Sequence, residues 1–160
     1  MVDRTLSEEF ILFFRKYLAF YEQFLHIETE KYNKLVSGEF ELIDDQVKQE
    51  EVFTLKARGL EKKREKLMMD IKCPKSTFKE IIPQLDPSVQ EEASTIYSSL
   101  SQILQNLKHS NLKSNYLIKL KLHRIEVNLE KLKNRPDLQK LYNAQAVENA
   151  ASKSILSKKV

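Results

Sequence analysis

The stretch NLKSNYLIKLKLHRIEVNLEKLKNRPDLQKLY, residues 111–142, decides how the whole chain is read. Within it Ile118, Leu122, Ile125, Leu129 and Leu132 recur at steps of three and four. That is the period of one face of an α-helix. Leu117, Leu120 and Val127 widen the stripe, and charged or amide side chains fill most of the other positions. Asn134-Arg135-Pro136-Asp137 breaks the pattern, because proline cannot continue a helix. Upstream, KHSNLKSN at 108–115 puts Asn111 and Ser114 where a seam would be apolar. Polar groups there set register, weaken packing locally or hydrogen-bond a partner's backbone.

Composition extends the helical reading to the rest. The chain has 160 residues, enough for one domain, with only 2 glycines, 4 prolines and 31% charged residues. Long helices fit that mix and a sheet does not. An apolar content of 41% supplies a narrow core between helices. No apolar run reaches 18 residues, so no transmembrane helix is expected. The start lacks the pattern of a signal peptide. One cysteine, Cys73, excludes an internal disulfide and suits a reducing cytoplasm.

Working back to the start, Thr5-Leu6-Ser7-Glu8 reads as a capping box with Thr5 as cap. A first helix over 5–36 follows, with the seam Ile11, Phe14, Leu18, Tyr21, Leu25, Glu28, Tyr32 and Leu35. A second stripe of Phe10, Phe13, Tyr17, Phe20 and Phe24 gives this helix two apolar faces, and hence two neighbours. Gly38 supplies the left-handed residue after its last turn. A second helix over 40–72 returns antiparallel, so positions summing to about 75 lie opposite one another. That places Glu28 near Lys48 and Ile11 near Arg64. Thr77-Phe78-Lys79-Glu80 is a second capping box and opens a short helix over 77–82. Phe78, Ile81 and Ile82 are expected to plug the end of the bundle.

Asp86-Pro87 then starts a third long helix over 87–133. At its ordinary rise it is roughly 70 Å long, against roughly 48 Å for each helix of the hairpin. It should outrun the hairpin near Ile118 and leave the stripe at 118–132 uncovered, which marks an interaction site. A bend in the helix, or pairing of the stripe with a second copy of the chain, would hide it instead. The expected architecture is therefore all-α: an antiparallel hairpin plus a long third helix, with a helical domain over 1–136 and a mobile tail over 137–160.

No catalytic or metal constellation is legible. His26, His109 and His123 form no HExxH, and His123 and Glu126 reverse the order used in di-iron bundles. Two glycines, Gly38 and Gly59, cannot make a phosphate-binding loop. No enzyme, cofactor or metal site is expected. Residues 1–51 carry 6 basic and 12 acidic side chains, and residues 52–160 carry 21 and 11. The basic residues interleave with glutamate, not with aromatics, which favours attraction between antiparallel helices over a nucleic-acid face.

Two stretches resemble the FlgN family of flagellar export chaperones. The first is 28–67: a glutamate in the first helix (Glu28), a Leu-Val-Ser-Gly-Glu-Phe turn, Lys48 after it and Arg64 late in the second helix. The second is 107–142: Asn111 and Asn115, then Leu117-Ile118, an amphipathic run, a proline break and Tyr142. The family's tyrosine is usually followed shortly by a glycine, whereas Asn143-Ala144-Gln145 follows here. The resemblance implies a cytoplasmic, non-enzymatic chaperone for the hook–filament junction proteins FlgK and FlgL, delivered to the export-gate protein FlhA. It implies a client face of Asn111, Asn115, Leu117, Ile118, Leu122, Ile125, Leu129 and Leu132, with Tyr142 offered to the gate. A monomer or weak dimer, with no nucleic acid and no membrane insertion, goes with it. A dimeric structural coiled coil and a helical RNA-binding module are the other classes the chain could fit.

Overall fold

The computed structural model describes residues 1–157; the side chains of Leu138 and of residues 150–157 lie outside the description. Among the described residues the protein is all-α. Its five helices are α1 (Arg4–Val36), α2 (Asp44–Asp70), α3 (Phe78–Ile81), α4 (Gln90–Lys133) and α5 (Pro136–Ser157). Short 3-10 turns at Phe40–Leu42, Ile82–Gln84 and Pro87–Val89 link them. The chain forms two compact units, Met1–Leu117 and Ile118–Val160.

In the first unit, α1 starts one residue earlier than expected, and Asp3 rather than Thr5 caps it. The Asp3 carboxylate accepts from the Leu6 N–H at 3.0 Å. Glu8, the would-be partner of Thr5, instead takes the Arg4 guanidinium at 2.9 Å. The Thr77–Glu80 box is present as read, with both reciprocal bonds. Helices α1 and α2 end alike. At the first, Gly38 sits at φ 80°, and the N–H groups of Gly38 and Glu39 donate to the Leu35 and Lys34 carbonyls. At the second, Lys72 takes the left-handed position at φ 61°, and Lys72 and Cys73 donate to Met69 and Met68. Both are Schellman ends, but a side chain at that φ is disfavoured by roughly 1–2 kcal/mol where glycine is not.

The core lies where α1, the end of α2, α3 and the start of α4 meet. Phe10 (0% exposed), Phe14, Met68, Ile81, Leu85, Ala93, Ile96 and Leu100 are buried there. Phe78 of α3 packs on Phe10 and Phe14 at centroid distances of 5.0 and 4.2 Å, and on Tyr97 of α4 at 5.7 Å. The expected plug is therefore in place. Farther along α1, Phe20 and Phe24, of the same stripe as Phe10, face α2, where they share Phe53 at 5.2 and 5.5 Å. These ring pairs, with Tyr17–Glu61 and Lys31–Glu50, bracket the expected antiparallel register. Ser7, wholly buried, donates to the Asp3 carbonyl and accepts from the Asp86 N–H, tying the start of α1 to the segment before α4.

One expected pair is absent. Glu28 bonds Lys31, three residues on in α1, not Lys48, which is exposed. Lys31 Nζ lies 2.7 Å from Glu28 Oε1 and 2.6 Å from Glu50 Oε2 on α2, so one buried ammonium joins two carboxylates. Arg64 likewise pairs within its own helix, with Glu61 at 2.6 Å. Lysine and arginine stems reach a helical neighbour at three residues more easily than they cross to another helix.

In the second unit, residues from 136 take helical backbone through Ser157, within the span expected as a mobile tail. Its last three residues lie outside the described part. The break before it is short: Arg135 donates to the Leu132 carbonyl, and Gln139 then donates to Arg135. Pro136 opens α5, a position where its missing N–H costs nothing.

Candidate binding surface

The second unit carries the stripe on its part of α4. Leu122 is 53% exposed, Ile125 44% and Leu129 49%. Leu120 is also exposed, and Ile118, Val127 and Leu132 are half-buried. Among the described residues these positions form a row of branched side chains open to solvent. Lysines and arginines flank it at Lys119, Lys121, Arg124, Lys131 and Lys133. Helical spacing alone brings them onto one face. Tyr142 and Leu141 sit on α5 and are exposed, at 59% and 65%.

The first unit ends at Leu117. Of the expected site residues it holds Asn111, Asn115 and Leu117. Asn111 is half-buried and turned inward, its Nδ2 3.5 Å from Glu50 Oε1. Asn115 is exposed and donates to the Asn111 side chain at 3.0 Å. Ser114 is a polar residue in the expected seam of α4. It is wholly buried, and its hydroxyl has no hydrogen-bond partner. Leu104, Leu112 and Tyr116 on α4, and Val52 and Leu55 on α2, are large apolar side chains left exposed in this unit. No periodicity could have distinguished them from core.

Beside Asn111 lies a groove of about 380 Å³ lined by Phe24 and Glu28 of α1, Glu50 and Thr54 of α2, and Leu104, Leu107, Lys108, Asn111 and Leu112 of α4. Glu28 is 1% exposed, and burial pushes its carboxyl above the usual range against the pull of Lys31. Elsewhere, burial raises the Tyr17 phenol, and the Arg64 guanidinium lowers Glu61. No group of three or more potential metal ligands occurs among the described residues, and no described helix is long and apolar enough to cross a membrane. What the surface offers is contact area: apolar rows on helices, edged by charge. The fold that carries these rows is all-α among the described residues.

A family model described as FlgN protein matches residues 1–150, and the chain belongs to that family. A role as a flagellar export chaperone goes with membership. No curated relative and no solved structure matches the chain.

Proposed function

We propose that the protein holds the hook–filament junction proteins FlgK and FlgL in the cytoplasm, prevents their premature assembly and delivers them to the export gate. The observation that carries this reading is the open apolar row at 118–132. An amphipathic client segment must hide its apolar face until it assembles. A helix laid on this row, with Asn111, Asn115 and Leu117 extending the contact, hides it by ordinary helix-on-helix burial. About 20 client residues would bury area in the ~1,200–2,000 Å² class. Folding on binding would offset on the order of 2–5 kcal/mol of the gain, leaving a complex that can release without ATP or catalysis. Tyr142 would serve as a second contact, docking on the cytoplasmic domain of FlhA. Linking two weak contacts raises avidity through effective concentration. The protein acts as a monomer or weak dimer, with no nucleic acid and no insertion into the bilayer.

The test is the double variant Leu122→Asp, Ile125→Asp. It should lose client binding by more than about a hundredfold, since each buried aspartate costs several kcal/mol, while helicity stays at the wild-type level. Undiminished binding would remove the proposed face. Tyr142→Ala should spare client binding and weaken docking on FlhA; losing both together would argue against two separable contacts. The same open row also supports a second reading, a dimeric coiled coil. A tight dimer by light scattering at all accessible concentrations would favour it.

A further inference from the structure

We propose that the groove lined by α1, α2 and α4 in the first unit accepts the cationic head of an arginine or lysine side chain from a bound polypeptide, with Glu28 as the acceptor. The proposal stands on this groove alone and does not need the apolar row of the second unit. Glu28 lines the groove, yet its side chain is 1% exposed. Its Oε1 takes the Lys31 ammonium, while its Oε2 is buried and has no hydrogen-bond partner. Lys31 also serves Glu50, so one positive charge answers two carboxylates. A buried carboxylate oxygen without a donor is costly, and a charge-assisted N–H is the group that relieves it.

The walls fit the same ligand. Phe24, Leu104, Leu107 and Leu112 are apolar and suit the methylene stem of a long basic side chain. Thr54, Asn111 and Glu50 stand by for the remaining N–H groups, and Asn111 reaches Glu50 only at 3.5 Å. A guanidinium, with five donors in a fixed fork, can answer Glu28 and a neighbour together. Lys108 lines the groove as well, but Glu28 Oε2 has no bond from it. A water molecule would satisfy the oxygen without its charge. A proton would satisfy it too, and would leave no preference for a cation.

The full-length, isotope-labelled chain is titrated with Nα-acetyl-arginine amide and, separately, with Nα-acetyl-citrulline amide, its neutral isostere. Arginine should give saturable amide shifts at Phe24, Glu28, Leu107 and Asn111. Citrulline should bind at least about tenfold more weakly, the difference one charge-assisted bond makes. Glu28→Gln should cut arginine affinity by a similar factor. Thr54→Phe, which fills the groove from an exposed position on α2, should abolish the shifts without touching the Glu28–Lys31 pair. Lys108→Ala should leave arginine binding intact or strengthen it. Equal binding of the two amides, no saturable shift at these residues, or an undiminished response in Thr54→Phe would each overturn the proposal. If Glu28→Gln fails to fold, Thr54→Phe and the citrulline comparison still decide.

Discussion

Both units carry apolar side chains at the same helical spacing, and they put them to opposite uses. In the first, Phe10 and Phe14 of α1 meet Phe78 of α3 and are lost from the surface. In the second, Leu122, Ile125 and Leu129 remain about half exposed. Periodicity thus identifies a face but not what covers it. Side-chain type does not separate the two: the core holds Phe10 and Phe14 but also Ile81, Leu85, Ile96 and Leu100, aliphatic side chains like those of the open row.

Phe10→Ala tests the covered side most severely. It should lower unfolding stability by about 3–5 kcal/mol, because α3 leaves the ring no room to relax. Leu122→Ala should change stability by less than about 0.5 kcal/mol in the same urea titration. Comparable losses would erase the contrast. Lys31→Met comes next. Removing the one ammonium leaves the buried Glu28 carboxylate and the partly exposed Glu50 without their shared cation, and about 3 kcal/mol should be lost. Lys72→Gly should work the other way, raising stability by about 1 kcal/mol through relief of the left-handed φ at the end of α2.

The smallest effect concerns pH. Folding raises the Glu28 carboxyl above its ordinary value of 4.5, so over the interval between the two values the native state holds the extra proton. The contribution of this group to stability therefore falls as pH rises through that interval. Glu28→Gln should remove that component of the pH profile; an unchanged slope would place the charge elsewhere.

The helices were legible because their signals are local. Spacing gave the faces, the Thr77–Glu80 box gave the start of α3, and Gly38 gave the end of α1. The misreadings came from choices between near-equal local partners. Asp3 and Thr5 can both cap, and Glu8 settled the matter by pairing with Arg4. The antiparallel register pointed Glu28 at Lys48, but Lys31, three residues on in the same helix, holds it. The open apolar row was legible as a stripe, whereas the buried Ser114 hydroxyl and the groove beside Glu28 are not features of one helix's pattern.

The shared lysine has one more consequence. Phe20 and Phe24 both touch Phe53, so sliding α2 along α1 by a turn would swap one ring contact for another at little loss. The same slide would pull Glu50 away from Lys31 and leave the buried Glu28–Lys31 pair without its third member. Grease makes the two rods stick, but the ammonium tells them which of several look-alike alignments is the native one. Replacing Glu28, Lys31 and Glu50 together by methionine should yield a rod pair that still holds but wanders among decoys, visible as exchange-broadened amide signals.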